Sequence, residues 1–387
     1  MHRPGITEAV VGTGFIGMAH VEALRRLGVR VAGVVGSSPE RARPKAEAAG
    51  LRVYDDLDAA LADDTVDVVH IASPNDVHAA QARAVVAARK HVVCEKPLGL
   101  DSDETADLVA RAEAAGIVHA VCLNIRFYPL AHEMRSLVAA GRIGPPRLIS
   151  GSYLQDWLLL DTDWNWRLEP SRAGALRSVA DIGSHWLDLA AFVTGLRVDQ
   201  VMADLHTLVP VRQRPVGEVE TFAAASGDTE RVPETMSSDD AAGILLRFAG
   251  GARGVVTISQ VSAGRKNAVT IEVDGAESAL GWCSEDPERL WIGHRGRSNE
   301  ILRRDPGLVG AEAARLIGYP GGHVEGYPDT FKALFATVYA DIAAGGPSSP
   351  APYPTFADGH DVVCVTEAVA RSAAKGEWTT VERKEQT

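Results

Sequence analysis

The sequence has little of several things that would otherwise fix its class. Only four cysteines occur in 387 residues, Cys94, Cys122, Cys283 and Cys364, and they are too scattered for metal-ligand spacing or a disulfide framework. They read as reduced, mostly core thiols, and no metal site is expected. No cluster of Lys and Arg interrupts a formal charge of -12. That argues against an extended nucleic-acid surface, which draws most of its affinity from clustered cations. No apolar run approaches the ~20 residues of a membrane span, and none of signal-peptide length precedes the first glycines. The expectation is a cytoplasmic protein with neither membrane nor nucleic-acid partners.

What is present is globular. An apolar fraction of 46% and a charged fraction of 23% suit a compact fold, and 387 residues suit two domains. From Ala9 to Asn124, β-branched runs alternate with amphipathic stretches, the pattern of βαβ units around a parallel sheet. Strands are predicted at Ala9–Val11, Val29–Val35, Val68–Ala72, Val92–Cys94 and Val118–Leu123. Helices are predicted at Ile16–Leu27, Pro39–Ala49, Val77–Ala88 and Ser102–Ala115, with a kink or late start at Pro44. Beyond Asn124 come helices around Leu130–Ala140 and Val179–Phe192, a strand near Arg147–Leu154, and strand-like runs at 243–248, 252–259, 269–273 and 290–292. Short turns such as Ala249-Gly250-Gly251 and Asp274-Gly275 join those runs, which favours an antiparallel sheet. The expected architecture is a doubly wound parallel α/β domain at 1–124, followed at 125–387 by an α+β domain with a large, mainly antiparallel sheet. A stretch rich in Pro, Glu, Thr, Ser and Gly at 205–240 reads as a mobile insertion or an arm to a partner subunit.

Gly12-Thr13-Gly14-Phe15-Ile16-Gly17 follows the first strand and opens a helix. Gly12 suits the tight turn, Gly14 lets backbone amides approach a pyrophosphate, and Gly17 allows close packing of helix on strand. The helix N-terminus then offers N–H groups and positive partial charge to the anion. In an NAD enzyme an acid about 20 residues further on accepts from the adenine-ribose hydroxyl. Here the second strand ends Val34-Val35-Gly36-Ser37-Ser38, with no acid. Ser37 and Ser38 can donate to a 2′-phosphate, and Arg41 and Arg43 lie near, so NAD or NADP is expected, with NADP at least tolerated.

Cys94-Glu95-Lys96-Pro97 ends the fifth strand, and ligands bind at the carboxyl ends of strands in doubly wound sheets. Alone, such a tripeptide is more often a surface turn. Asp181 and His185 stand four residues apart, hence on one face of a helix, with Asp188 one turn on. Taken alone this pair reads equally well as a capping carboxylate and a core histidine.

In combination the motifs resemble the glucose-fructose oxidoreductase / inositol dehydrogenase / MocA family. The resemblance is carried by G-T-G-F-I-G at 12–17, A-S-P-N-D-V-H at 72–78, E-K-P-L at 95–98, N-I-R-F at 124–127 and D-I-G-S-H-W-L-D at 181–188. Within the family, Tyr153–Trp157, Trp166-Arg167 and the segment from Gly322 to Tyr327 are similar to sugar and anhydrosugar dehydrogenases. The resemblance implies a catalytic trio of Lys96, Asp181 and His185. It also implies that Phe15, Ile16, Ser73, Asn75, His78, Glu95 and Asn124 line the cofactor, with Arg126 near the nicotinamide or substrate. Polyol recognition needs hydrogen-bonding groups over an aromatic platform, and Gln155, Asp156, Trp157, Trp164, Arg167 and His323 suit that task. The expected activity is oxidation of a secondary alcohol on a sugar, glycoside or cyclitol by NAD(P), in a homodimer or homotetramer. His185 suits the base and Lys96 the oxygen-stabilising role, and these two could be exchanged. A redox-assisted glycosidase or lyase, a non-catalytic dinucleotide- or sugar-binding regulator, and a reductase working toward the alcohol stay open beside it.

Overall fold

The computed structural model describes residues 5–217 and 230–383; the part of the expected insertion at 218–229 lies outside the described residues. The chain divides into two compact units. The first comprises the residues up to Asn124 together with Pro328–Val363, and the second comprises Ile125–Tyr327 with Cys364–Arg383. A single break at 124/125 would leave Pro328–Val363 in the second domain, whereas its packing places it with the first.

In the first unit, β1 (Thr7–Val11) is buried throughout and leads through the glycine turn into α1 (Phe15–Arg26). There follow β2 (Arg30–Val35), α2 (Pro39–Ala48), β3 (Arg52–Val53), α3 (Leu57–Leu61), β4 (Val68–Ile71), α4 (Asn75–Ala87), β5 (His91–Cys94), α5 (Ser102–Ala115) and β6 (His119–Val121). The six strands are all parallel, in the order β3-β2-β1-β4-β5-β6. The chain winds outward from β1 to both edges, so the loops after β1 and β4 open at the point where strand order reverses, where such sheets hold ligands. Pro44 neither delays nor ends α2: the helix starts at Pro39, capped by Ser38, and the proline sits on its exposed side. The two-residue β3, too short to show a periodic signal, completes one edge.

The second unit contains α6 (Pro129–Ala139), β7 (Pro146–Leu154), α7 (Pro170–Ala173) and α8 (Ser184–Thr194). These lead to β8 (Val198–His206), β9 (Val211–Pro215), β10 (Arg231–Thr235), β11 (Ala241–Phe248), β12 (Arg253–Ser259), β13 (Ala268–Gly275), β14 (Ser278–Cys283), β15 (Arg289–His294), β16 (Glu300–Arg303) and α9 (Ala311–Ala314). After α10 (Tyr327–Ala344), which belongs almost wholly to the first unit, α11 (Phe356–Lys375) passes from the first unit to the second after Val363, and β17 (Thr379–Thr380) closes the sheet edge. The nine-stranded sheet runs β16-β15-β14-β13-β7-β12-β11-β8-β17 and is antiparallel except between β7 and β12. Strand β11 alternates buried Ile244, Leu246 and Phe248 with exposed Gly243 and Leu245, the period of two that a half-covered sheet imposes. The buried side packs on Leu130 and Met134 of α6, Trp186 and Leu189 of α8, and Val365 and Val369 of α11. Trp186 Nε1 donates to Thr270 O at 2.8 Å, which fixes α8 against β13.

Within 205–240 the described residues form an antiparallel hairpin of β9 and β10, and its base is anchored rather than loose. Asp240, fully buried, accepts from Arg177 and, at 2.8 Å, from Arg212 Nη2; its other oxygen accepts from Val209 N at 2.7 Å.

Candidate active site

The turn after β1 is built so that only glycine fits at positions 12 and 17. Gly12 has φ 108°, donates its N–H to Val35 O at 2.8 Å, and a Cβ there would lie 2.3 Å from Ala72 O. A Cβ on Gly17 would lie 1.9 Å from Gly12 O, so the first turn of α1 rests directly on the loop. Gly14 is the N-cap of α1 and makes no side-chain cap bond, and nothing lies within 4 Å of where its Cβ would be. Phe15 is 55% exposed and Ile16 half-buried beside this opening. The cradle therefore fits a pyrophosphate: open space over Gly14, helix N–H groups facing it, and no side chain in the way.

At the end of β2, Ser37 is exposed, whereas the Ser38 hydroxyl caps α2 by accepting from Arg41 N at 3.4 Å. Sequence alone places no acid here, yet the fold brings Glu40 to the Ser38 hydroxyl. Its own backbone N–H, Ser38 and the Arg43 charge hold Glu40 below the ordinary carboxylate range. Arg41 and Arg43 are both exposed.

The loops after β4 and β5 are tied by His78. Its Nδ1 lies 2.7 Å from Pro97 O and its Nε2 2.8 Å from Ser73 O, so one buried imidazole ties Ser73 to the Pro97 carbonyl, one peptide beyond the cis Lys96–Pro97 bond. The Ser73 hydroxyl donates to Gln81 Oε1 at 2.6 Å, and Asn75 opens α4, mostly buried. Asn124 is buried and donates from Nδ2 to Thr330 Oγ1 at 2.8 Å. Glu95 Oε1 faces His20 Nε2 at 3.1 Å, and Oε2 accepts from Lys96 N at 3.2 Å. Burial opposes its charge, but the contacts with His20 and Lys96 prevail and hold Glu95 at about 2. His20, Glu95 and Cys122 present ligand atoms within 4.8 Å of one another. Burial pushes the Cys122 thiol well up, so this group is hydrogen-bonded around a carboxylate and a thiol.

In the second unit, Asp181 lies in a π-helical turn, Val179–Gly183, that runs into α8. Such an inserted residue redirects side chains and recurs at functional sites. The turn is held from below by Asp239, whose Oδ1 accepts from Arg177 N at 2.7 Å and whose Oδ2 accepts from Ser178 Oγ at 2.5 Å and Val179 N at 2.9 Å. Asp181 Oδ1 accepts from Arg167 Nε at 3.1 Å and Oδ2 from Gln260 Nε2 at 2.8 Å. His185 is buried, with its ring centroid 6.3 Å from that of Tyr153. Burial, then the Asp181 charge, push the Tyr153 hydroxyl far up, so it stays a neutral donor, to Asn267 Oδ1 at 2.7 Å. Gln155 also donates to Asn267 Oδ1, at 2.8 Å, and Trp157 Nε1 donates to Gln155 Oε1 at 2.7 Å. Arg167, Asp181 and Gln260 thus form one hydrogen-bonded set and Trp157, Gln155, Asn267 and Tyr153 a second, which meet where Tyr153 lies near the Asp181 charge and the His185 ring.

Other expected residues are engaged elsewhere. Asp156 is tied to Lys266 Nζ at 2.7 Å and Gly264 N at 3.0 Å. Trp164 packs with Trp157 against Leu158, Leu168 and Met236. Arg126 Nε donates to Asp188 Oδ2 at 2.7 Å, and its Nη2 donates to the other oxygen. His323 is exposed on a loop clamped by buried Arg304, which donates to His323 O at 2.6 Å and to Glu325 Oε2 at 2.7 Å.

Residues 6–122 match the model of the oxidoreductase family with an NAD-binding Rossmann fold, and residues 131–280 match the GFO/IDH/MocA C-terminal domain. The chain is 30% identical over 388 residues to a levoglucosan dehydrogenase of Pseudarthrobacter phenanthrenivorans, covering 96% of this chain and 97% of that one. A structure of levoglucosan dehydrogenase in complex with NADH and L-sorbose superposes with a TM-score of 0.86 at 28% identity, over 98% of this chain and 99% of the other. An inositol dehydrogenase homolog from Azotobacter vinelandii, complexed with NADH and myo-inositol, gives 0.83 at 25% identity over 97% of each chain. Among the described residues no helix is long and apolar enough to cross a membrane. Matched through both its dinucleotide-binding and its C-terminal domain, the chain belongs to the glucose-fructose oxidoreductase / inositol dehydrogenase / MocA family of oxidoreductases.

Proposed function

We propose that this protein is an NAD(P)-dependent dehydrogenase that oxidises a secondary alcohol of a pyranose, anhydrosugar or cyclitol. The observation that carries this reading is the constellation around His185: a carboxylate, Asp181, fixed by Arg167 and Gln260, beside a polar chain from Trp157 through Gln155 and Asn267 to Tyr153. Several fixed donors and acceptors beside an aromatic ring suit a ring bearing many hydroxyls. The names of the relatives, which act on or hold levoglucosan, sorbose and inositol, support the same substrate class.

Residues of the turn from Gly12 to Gly17, with Ser37, would hold the dinucleotide, which when bound accepts hydride from the carbinol carbon. The chain's own part concerns the hydroxyl proton and the oxygen. The His185 imidazole takes that proton, a task its ordinary pKa near 6.5 suits. Lys96 Nζ donates to the same oxygen and stabilises the developing alkoxide. Asp181, held still by two donors, orients the substrate and favours the imidazolium that results. With Glu40 on Ser38, both dinucleotides are accepted and NADP is not favoured. The open sheet face, with Leu148, Leu245 and Val255 exposed, supports self-association as a dimer or tetramer.

The test is a screen of pyranoses, glycosides, anhydrosugars and inositols with both dinucleotides, read as net formation of reduced nicotinamide. Sustained turnover with at least one polyol is expected. Dinucleotide binding without turnover, or substrate cleavage without net reduction, would replace this reading by a regulator or a redox-assisted lyase.

A further inference from the structure

The first unit buries a run of ionisable groups that the proposed chemistry does not use. Helix α1 contributes His20, β4 His70, β1 Glu8, and α10 lays Phe331, Phe335 and Tyr339 over them at a helical spacing of four. Starting beside Lys96, Glu95 Oε1 lies 3.1 Å from His20 Nε2, His20 Nδ1 lies 3.0 Å from His70 Nδ1, and His70 Nε2 lies 3.0 Å from the Tyr339 hydroxyl. That hydroxyl is hydrogen-bonded to Glu8 Oε2. His20, His70, Tyr339 and Glu8 are fully buried, and the two imidazoles stack edgewise on Phe335.

A buried imidazole pair joined Nδ1 to Nδ1 must have one donor and one acceptor, since two lone pairs or two N–H groups facing at 3.0 Å repel. With both rings neutral, that requirement leaves two arrangements of the remaining bonds. In one arrangement Glu8 is protonated and Glu95 ionised: Glu8 donates to Tyr339, Tyr339 to His70 Nε2, His70 Nδ1 to His20 Nδ1, and His20 Nε2 to Glu95. In the other, every proton has moved one partner along, so Glu95 is protonated, Glu8 ionised, and each bond donates the opposite way. Both imidazoles are neutral in both arrangements, no atom or electron is left over, and one proton has crossed between Glu8 and Glu95.

We propose that Glu95, His20, His70, Tyr339 and Glu8 form a proton-transfer chain that carries one proton between the Lys96 end of the sheet and the start of β1. The first arrangement is the resting one. Burial pushes Glu8 well up while Glu95 is held low, and Glu8 Oε1, buried without a hydrogen-bond partner among the described residues, is tolerable only on a neutral carboxyl. Burial keeps His70 neutral. The other charged or titratable groups facing the chain are Lys96, Cys94, Cys122 and His78 around Glu95, and Asp67 near Tyr339. At rest the proton sits at the Glu8 end, and its shift to the other end neutralises the Glu95 carboxylate beside Lys96. This proton arrangement does not rest on the proposed dehydrogenase reading.

The test is nitrogen NMR of the histidine rings in the whole protein without dinucleotide. Wild type should show His20 protonated at Nε2 and His70 at Nδ1, both neutral near neutral pH. Glu95→Gln, whose amide donates where the carboxylate accepted, should convert His20 to the Nδ1–H form and His70 to the Nε2–H form together, although His70 does not touch residue 95. Two Nε2–H rings or an imidazolium in wild type, or a change at His20 alone in the variant, would overturn the proposal. If Glu95→Gln does not fold, the wild-type tautomers still decide.

Discussion

Arg167 Nε donates to Asp181 Oδ1 at 3.1 Å while the Arg167 guanidinium lies 4.4 Å over the ring of Trp166, so one side chain links the aromatic wall to the carboxylate beside His185. With Gln260 on the other oxygen, Asp181 has little freedom left. Arg167→Met keeps the length and loses the donor. A hydrogen bond to a charged group contributes roughly 1.5–3 kcal/mol, so kcat/KM should fall about tenfold to a hundredfold. Steady-state kinetics on the best polyol checks this, and a change under about twofold would mean that Asp181 needs no such support.

The anchor beneath the π-helical turn is the next most exposed to test. Asp240 lies between the buried guanidinium groups of Arg177 and Arg212, and Asp240→Asn would leave those charges without their shared partner. Breaking a buried pair in this way costs about 3–5 kcal/mol. Denaturant unfolding should show a loss of that order; a loss below about 1 kcal/mol would show that water replaces the carboxylate.

Much of the framework was legible in the sequence, for reasons particular residues make plain. The turn at Gly12 and Gly17 excludes any Cβ, so its glycines announced themselves, and the short turn at Ala249-Gly250-Gly251 between the runs at 243–248 and 252–259 marked the antiparallel pair of β11 and β12. The π-helical turn at Asp181 was not legible, because nothing in Val179–Gly183 distinguishes it from an ordinary helix start. Nor was the role of Asp239 and Asp240, which sit at the end of a polar stretch and become buried against partners between 28 and 63 residues earlier in the chain. His20 and His70 lie in apolar runs with no motif to mark them; the chain they join depends on α10, some 270 positions after His70, returning to the first unit. The signal that could have found them is the stripe Phe331, Phe335, Tyr339, an apolar face ending in a hydroxyl.

Cofactor preference turns on one short segment. Glu40 lies on the Ser38 hydroxyl and near Arg43, so it offsets the positive charge available to a 2′-phosphate. Glu40→Gln should shift the ratio of kcat/KM values toward NADP, and Ser37→Asp should shift it toward NAD. Wild-type discrimination against NADP beyond about a hundredfold, roughly 2.7 kcal/mol, would contradict the tolerance expected of a strand end without an acid.

Buried histidines make stability depend on pH. Burial first, then the neighbouring arginine charges, push His132 down to about 3, and burial pushes His119 down to about 4, against an ordinary value of 6.5. As pH falls below 6.5 the unfolded chain binds protons that the folded one refuses, so each contributes a progressive loss of stability down to its folded value. His132→Phe, which keeps a ring between Phe127 and Phe192, should make the fall of Tm between about pH 7 and about pH 5 shallower than in wild type. Equal slopes at fixed ionic strength would show that His132 is protonated in the folded state.

The central claim is that Lys96 acts on the reacting oxygen while the glycine turn holds the dinucleotide. The most direct measurement is the rate of reduced-nicotinamide formation by wild type and Lys96→Ala on the same polyol, alongside the NADH dissociation constant of each. The account predicts a fall in kcat/KM of at least about a hundredfold, with NADH binding within about threefold of wild type. A variant keeping more than about a tenth of the wild-type rate would put the contribution of Lys96 below roughly 1.4 kcal/mol and contradict its assignment.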